Sequence, residues 1–275
     1  MVAGGLVYRE AMGIGYLEAP LLAETGLVSH GFSTRHGGVS SEPFHTLNLG
    51  FHCSDSEENV YENRRRFFSL WGKDASDIVC GNQVHGAKIV EVQEIDRGRG
   101  ASPGTALPGV DGLYTRTSGL TIAAFSADCL LVFILDPIQR AVAIIHAGWR
   151  GTLLGITAKA VNLLSQAYGG SASDLLVALS PAISRCCFEV DQRLVAKFQA
   201  AGYRGLPLVP TANGGRYYLD LHELNRRQLV EQGVCADRIA SDSWCTYCGE
   251  HFFSYRRDNG KTGRMAGFIS LNSTG

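Results

Sequence analysis

The stretch LLVFILDPIQRAVAIIHAGWRGTLLGI, residues 130–156, decides the fold of this chain. Two runs of apolar, β-prone residues flank the turn-like DPIQR, and this pattern predicts a hairpin of buried strands. The second run ends at His146, breaks at Gly-Trp-Arg-Gly and resumes with helical spacing, so we expect a helix that Thr152 caps and Gly169 ends. A buried strand thus leads to an imidazole and then to Arg150 at the start of a helix.

Strands and helices alternate on both sides of this hairpin. Strand-like segments are AKIVEVQEI (87–95), VDGLYTR (110–116), LTIAAFSA (120–127) and LLVALSPAI (175–183). Apolar residues at helical spacing predict helices over EVDQRLVAKFQAAG (189–202) and YLDLHELNRRQLVEQGV (218–234). This alternation favours an α/β or mixed α+β fold with layered sheets over an all-β fold or a helical bundle.

The composition is typical of a globular protein. The chain has 275 residues, with 25 basic and 26 acidic side chains and a formal net charge of -1, so we expect no nucleic-acid partner. Its most apolar window, residues 118–136, is interrupted by Asp128, so it lacks the run of ~18 apolar residues that a membrane span needs. The N-terminal segment holds Arg9 and Glu10 and does not resemble a secretory signal. Eight cysteines are too few for a disulfide scaffold and indicate reduced thiols in a cytoplasmic protein.

The best candidate for an interdomain joint is RGRGASPGTALPG (97–109), which has four glycines and two prolines. Such a segment can be a linker, but it is more often a long excursion over one domain. We therefore expect a single domain over residues 1–275.

Reactive side chains stand at the ends of several predicted strands. His85 precedes one strand, Cys129 lies between two apolar runs, and His146 ends the second strand of the hairpin. Two imidazoles and a thiolate form a zinc triad that leaves a fourth position for water, as a catalytic site requires. The same atoms also suit a Cys129 nucleophile with His146 as its base. A buried cysteine and a hydrogen-bonded core histidine are the structural alternatives, and spacing alone leaves all of these readings open.

Two glycine-containing turns are candidate anion sites. Gly-Trp-Arg-Gly offers free amides at a helix start beside Arg150, and STRHGGVSS (33–41) gathers Arg35 and Ser40 in one loop. Gln83 lies next to His85 and is a candidate substrate ligand. Each of these segments can instead be a plain turn.

The C-terminal region carries a Cys-x-x-Cys pair and a basic segment. Cys245 and Cys248 would need a second pair to hold a structural zinc, and only the adjacent Cys186 and Cys187 offer one. Neighbouring cysteines rarely chelate one zinc well, so we assign no metal here. FFSYRR (252–257) looks like a strand whose end presents arginines to a site, although solvated charges are the simpler interpretation.

The motifs occur together in an order that resembles the laccase-domain family, also called polyphenol-oxidase-like proteins and assigned as purine nucleoside phosphorylases. The likeness covers roughly residues 30–270, and ADC, QVHG and HAGWRG are its most specific elements. The other shared motifs are STRHGGVS, NLGFH, YENRRRF, DGLYT, SPAI and FFSYRRDNGKTGRMAGFI.

The resemblance implies a single-domain fold like that of a bacterial toxin deamidase, with mixed sheets flanked by helices. It implies one catalytic zinc, which the motifs place on His85, Cys129 and His146. It also implies cleavage of adenosine, inosine, guanosine or methylthioadenosine with phosphate, together with deamination of adenosine. Some bacterial relatives instead remove a wrong amino acid from a peptidoglycan precursor, so a cysteine-type or zinc hydrolase is the alternative. A non-catalytic nucleotide-binding module is a third reading, and we expect a monomer or small homo-oligomer.

Roles follow for the remaining candidates. We expect Arg35 and Ser40 to bind phosphate first, with Arg150 second, and Asp128 to transfer a proton if its side chain turns inward. A multicopper centre needs several His-x-His pairs, whereas no two of the eight histidines here are separated by one residue. Adventitious Cu²⁺ in the zinc site remains chemically plausible.

Overall fold

The computed structural model describes residues 4–212, 214–241 and 244–273. Within them the strands are β1 (Val7–Ala11), β2 (Ile14–Glu18), β3 (Val28–Ser33), β4 (Val79–Asn82), β5 (Ile89–Glu91), β6 (Leu107–Pro108), β7 (Gly112–Thr115), β8 (Thr121–Ser126), β9 (Leu130–Asp136), β10 (Ala141–Ala147), β11 (Leu176–Leu179), β12 (Glu189–Asp191), β13 (Leu208–Pro210), β14 (Arg216–Leu219), β15 (Ile239–Ala240) and β16 (Met265–Leu271). The helices are α1 (Pro20–Ala23), α2 (Glu57–Ser69), α3 (Trp149–Leu153), α4 (Ile156–Tyr168), α5 (Gln192–Ala200) and α6 (Leu221–Glu231).

Two mixed sheets carry the architecture, and a small third sheet lies beside them. The first has the strand order β1-β2-β3-β16-β8-β4-β6, the second β15-β11-β9-β10-β7-β5, and the third β12-β14-β13. Most neighbours are antiparallel, while β4 pairs in parallel with β8 and β6, β5 with β7, and β11 with β15. The predicted mixed α/β class with layered sheets is therefore confirmed.

Strand alternation places the two large sheets face to face between helices. Along β9, Leu131 and Phe133 pack into the core shared with β8 and β16, whereas Val132 and Ile134 pack under α4 on the outer face. On the far side of the first sheet, Phe67 of α2 packs against β16 and β8. Each of these fully buried apolar side chains stabilises the fold by about 1.5–3 kcal/mol relative to exposure.

The predicted hairpin is confirmed, and its register runs from Asp136 opposite Ala141 to Leu130 opposite Ala147. The helix beyond it differs from the prediction. Gly148, not Thr152, precedes the first turn, and the helix is broken at Gly155, whose φ of 71° is left-handed. Because Thr152 lies inside α3, its hydroxyl donates to the Ala147 carbonyl instead of capping. Gly169 ends α4 in a left-handed conformation, as predicted.

The other predicted helix and strand boundaries differ from those in the structure for local reasons. Helices α5 and α6 begin later than predicted because Asp191 and Asp220 accept N-cap hydrogen bonds from Leu194 and Glu223. The predicted strand over 87–95 shortens to β5. Segment 252–257 forms turns, so the strand predicted there was wrong. Among the described residues no helix combines the length and apolar character needed to cross a bilayer.

Candidate active site

His85, Cys129 and His146 converge at one end of the hairpin. One ligand atom from each lies within 4.8 Å of the other two, and the two imidazole centroids are 4.9 Å apart. The structure therefore brings together the three residues that the sequence singled out as a metal triad.

Strand geometry explains this convergence. His146 is the penultimate residue of β10 and shares the inward side of that strand with Ile144. Cys129 lies at the corner between β8 and β9, where Asp128 adopts a φ of 89°. The backbone of Gly148 lies against the triad, since a Cβ there would lie 2.8 Å from the Cys129 sulfur and 3.2 Å from the His85 ring. A glycine is thus required beside the triad.

Asp111 organises the triad, and sequence analysis gave it no role. Its carboxylate lies 2.9 Å from His146 Nδ1 and accepts backbone hydrogen bonds from Val84, His85 and Gly86 at 3.2, 2.9 and 2.8 Å. Because Nδ1 is held by Asp111, Nε2 of His146 is left to face a metal. The only signal in the sequence was its place in the shared motif DGLYT.

The triad is electrostatically suited to a cation. Burial alone would raise the pKa of Cys129, but the His146 and His85 imidazoles outweigh it and lower the pKa to about 6. Burial would lower the pKa of His146, but Cys129 and Asp111 raise it to about 9. The sulfur is therefore a thiolate at neutral pH, the form that binds metals. One thiolate with two imidazoles is a ligand set that suits zinc.

The triad opens into a cavity of about 910 Å³. Its apolar surface includes Phe51, Phe125, Trp149 and Tyr255, while the loop between residues 100 and 108 supplies Gly100, Ser102, Pro103, Gly104, Ala106 and Pro108. A cavity of this size and character accommodates a small organic molecule.

Cationic groups without acidic partners also line the cavity. Among the residues that the structure describes, no carboxylate oxygen lies within 4.0 Å of the guanidinium nitrogens of Arg64, Arg150, Arg256 and Arg264. Arg64 is buried; its Nε and Nη1 donate to the Leu49 and Gly100 carbonyls, each at 2.8 Å. An array of unpaired guanidinium groups in a cavity attracts anions.

His52 also lines the cavity and is close enough to Arg264, Arg64 and the two triad histidines to be affected by their charges. Burial, followed by the charges of Arg264, Arg64, His146 and His85, lowers its pKa to about 4. His52 is therefore neutral near pH 7. The lowered pKa indicates that the positive electrostatic potential of the cavity is high around His52, beside Arg64 and Arg264. The sequence offered only its place in the motif NLGFH as a signal.

Gln83, Asp128 and Arg150, three of the candidate site residues, line the cavity. Gln83 uses its amide to pair with the Phe125 backbone, donating at 2.7 Å and accepting at 2.8 Å. Asp128 accepts from the Thr246 hydroxyl at 2.6 Å and from the Arg256 amide at 2.7 Å. These bonds hold the Asp128 carboxylate as an acceptor and do not support its predicted role in proton transfer.

Arg35 and Ser40 do not line the cavity. Arg35 donates to the His45 carbonyl at 2.8 Å and lies over the Phe253 ring. The Ser40 hydroxyl donates to Asp55 at 2.7 Å and is itself buried. Both side chains thus stabilise their own loop, and their positions do not support the predicted phosphate contacts. The two arginines of the predicted basic segment have different positions. Arg256 lines the cavity, whereas Arg257 donates to the Thr246, Gly249 and Phe252 carbonyls.

A second cluster of metal-ligating side chains was not expected. Cys186, Cys187, Cys245 and Cys248 bring their sulfur atoms within 4.8 Å of one another, although the sequence had suggested that adjacent cysteines would not combine with the Cys-x-x-Cys pair.

Comparisons with known proteins agree on one family. The family model described as multi-copper polyphenol oxidoreductase laccase matches residues 29–272. The purine nucleoside phosphorylase YlmD of Geobacillus stearothermophilus is 43% identical over 242 residues, which cover 87% of this chain and 88% of YlmD. The purine nucleoside phosphorylase YfiH of Escherichia coli is 36% identical over 240 residues, covering 87% and 92%. The crystal structure of YlmD from Geobacillus stearothermophilus superposes with a TM-score of 0.90 at 41% identity, covering 96% of this chain and 98% of that one.

Proposed function

This chain belongs to the family described as multi-copper polyphenol oxidoreductase laccase, and we propose that it is a zinc-dependent purine nucleoside phosphorylase. Its substrates would be adenosine, inosine, guanosine or methylthioadenosine with phosphate, and it would also deaminate adenosine. The names of its relatives support phosphorolysis. The observation that carries the proposal is a thiolate–imidazole triad that opens into the same cavity as four arginines without carboxylate partners.

His85, Cys129 and His146 would hold the zinc. When bound, zinc supplies a Lewis acid and lowers the pKa of a coordinated water. Asp111 fixes the His146 ring through Nδ1 and the His85 segment through backbone amides, so both imidazoles are oriented before substrate binds. Gly148 leaves room for the triad, because a Cβ at this position would lie 2.8 Å from the Cys129 sulfur.

Aromatic rings and guanidinium groups adjoin one another in the cavity: Arg64 lies over Phe51 and Phe125, Arg150 over Trp149 and Arg264 over Tyr255. The aromatic side chains offer apolar area to a purine base, while Arg64 and Arg264 beside His52 offer charge to phosphate. In phosphorolysis a phosphate oxygen forms a bond to the ribose C1′ as the bond from C1′ to the base nitrogen breaks, and the base leaves with the electron pair. In deamination water adds at C6 of adenine and ammonia leaves.

The proposal includes no multicopper centre, because the eight histidines contain no His-x-His pair. It places the enzyme in the cytoplasm, where nucleosides and phosphate are available. Its eight cysteines are unpaired thiols in the structure, which suits a reducing compartment.

The first test is chromatography of products after purified protein is incubated with adenosine, with and without phosphate. We expect adenine and ribose 1-phosphate only when phosphate is present, and inosine with or without it. Incubations with inosine, guanosine and methylthioadenosine give the base preference. Failure to turn over any of these nucleosides after zinc is supplied would refute the proposal and make peptidoglycan precursors the next substrates to test.

One observation favours a second candidate, a cysteine-type hydrolase. Cys129 and His146 form a thiolate–imidazole pair even without a metal, which is the arrangement of a nucleophile with its base. Such an enzyme would keep its activity after metal chelation and lose it on thiol alkylation in the absence of metal. The zinc mechanism predicts loss of activity on chelation and recovery when zinc is returned.

Arg264→Ala is expected to raise the KM for phosphate. Loss of one charge-assisted hydrogen bond of about 1.5 kcal/mol corresponds to an effect of about tenfold. Deamination of adenosine, which uses no phosphate, should change much less. Initial rates measured across phosphate concentrations check this, with Arg9→Ala on edge strand β1 as the control. An equal loss of both reactions would assign Arg264 to the fold rather than to phosphate.

A further inference from the structure

Four cysteines from two distant parts of the chain meet outside the candidate active site. The sulfur of Cys248 lies 3.5 Å from that of Cys186 and 3.1 Å from that of Cys187, and Cys245 completes a group whose atoms all lie within 4.8 Å of one another. None of these residues belongs to the His85–Cys129–His146 triad or lines the cavity.

The backbone brings two loops together at this point. Cys186 and Cys187 lie in the turn between β11 and β12, and Cys245 and Cys248 lie in the loop that precedes Phe252. The Thr246 amide donates to the Ala182 carbonyl at 3.1 Å, and Ala182 and Cys245 form a short parallel bridge. The two loops are thus already in register before any bond between the sulfurs is considered.

The sulfur separations fit one metal ion. A zinc–sulfur bond of about 2.3 Å in a tetrahedron puts sulfurs about 3.8 Å apart. The observed sulfur–sulfur separations, 3.1 and 3.5 Å with an upper limit of 4.8 Å, bracket this value. A cluster of several irons would need wider spacing between sulfurs that bind different irons. Adjacency of Cys186 and Cys187 is no obstacle here, because both sulfurs reach Cys248.

Backbone amides support a thiolate at the most buried member. The Ser184 amide donates to the Cys245 sulfur at 3.4 Å, and the amides of Tyr247 and Cys248 also hydrogen-bond to it. The Cys-x-x-Cys turn therefore directs its own amides at its first sulfur. Amide donors stabilise a metal-bound thiolate in the same way that they stabilise other anions.

We infer that Cys186, Cys187, Cys245 and Cys248 bind one zinc ion in a structural site. Four protein ligands close the coordination shell, so this site leaves no position for water or substrate. A tetrahedral set of four sulfurs is typical of structural zinc sites.

The zinc would hold one wall of the cavity. Ile183 and Phe188, which flank the Cys186–Cys187 pair, line the cavity, and Thr246 beside Cys245 holds the Asp128 carboxylate. That carboxylate in turn accepts from the Arg256 amide. A metal that joins the two loops therefore fixes the position of Arg256 without touching substrate.

The test is metal content in a chain that lacks the triad site. In Cys129→Ala we expect one zinc per chain, and in Cys129→Ala combined with Cys248→Ser we expect none. If Cys248→Ser fails to fold, Cys186→Ser tests a second exposed ligand in its place. Cys235 is an exposed cysteine outside the cluster, so Cys235→Ser is the control and should keep its zinc. Because the triad is absent throughout, the result is independent of the proposed function.

Cobalt provides a spectroscopic check. Cobalt bound by several thiolates gives a strong charge-transfer band, which we expect in Cys129→Ala and in its Cys235→Ser derivative but not in its Cys248→Ser derivative. Chelation should lower the thermal midpoint of Cys129→Ala by about 5–15 °C, since a metal bound only to the folded state stabilises it by mass action. Equal metal content with and without Cys248, or peptide mapping that finds disulfides among the four cysteines in the purified protein, would overturn the inference.

Discussion

Cys129→Ala is expected to lower phosphorolysis of adenosine by on the order of 10³-fold or more, because a catalytic metal contributes several kcal/mol and each 1.36 kcal/mol is a factor of ten. The substitution removes the only thiolate of the triad and leaves two imidazoles, which bind zinc more weakly. The side chain is small, and neighbouring Ala127 and Leu130 stay in place, so the fold should be retained.

Single-turnover and steady-state rates measured together with zinc content check this prediction. Cys235→Ala, which removes an exposed thiol far along the chain from the triad, is the matched control and should keep wild-type activity. A Cys129→Ala protein that holds no zinc at the triad yet keeps its activity would show that the metal is not catalytic. Circular dichroism identifies any loss that comes from unfolding.

Asp111→Asn should weaken metal binding at the triad by about 10- to 100-fold, the usual effect of removing a hydrogen-bond partner of a metal ligand. The carboxylate accepts from His146 and from three backbone amides, so an Asn side chain would turn its NH₂ donor toward another donor. Activity at low zinc should fall in proportion and recover in part when zinc is added.

The charge of Asp111 also affects stability. Burial raises its pKa, but hydrogen bonds from His146 and from the Gly86 and Val84 amides outweigh this and lower the pKa below its usual value. A lowered carboxyl pKa stabilises the fold above the unfolded pKa, and this contribution is lost as the pH falls through the folded value. Asp111→Asn should therefore lower the free energy of unfolding at neutral pH by about 1–3 kcal/mol. The free energy of unfolding of the variant should also fall less steeply than that of the wild type as the pH is lowered.

Competition with a chromogenic chelator measures the change in zinc affinity. The matched control is Asp136→Asn, a buried aspartate at the other end of β9 that accepts from the Ile138 and Gln139 amides. It should lose stability without losing zinc. A zinc affinity of Asp111→Asn equal to that of wild type would assign Asp111 to folding alone.

Much of the site was predictable because it follows local rules. Apolar runs separated by DPIQR predicted the β9–β10 hairpin, and the side-chain alternation of strands brought Cys129 and His146 to one end of it. Residues whose roles depend on distant partners were missed. Asp111 acts through Val84, His85 and Gly86, and no spacing in the sequence joins these positions.

The anion site shows the same limit. Arg35 and Ser40 lie in a glycine-containing loop that looked suited to phosphate, yet the loop turns their side chains to partners within itself. Arg64 was given no role beyond its place in the motif YENRRRF, and the sequence does not show that the fold buries its guanidinium over Phe51 and Phe125. The four-cysteine cluster was wrongly discounted because adjacent cysteines were expected to chelate one zinc poorly, whereas the fold brings the sulfurs of both Cys186 and Cys187 close to that of Cys248.

The loop between β5 and β7 has a consequence for how this enzyme can diversify. Residues 100–108 supply six positions of the cavity wall and none of the metal ligands. Surface loops tolerate changes of length at little thermodynamic cost. Changes in this one loop can therefore alter the shape of the cavity while the three metal-ligating residues stay unchanged.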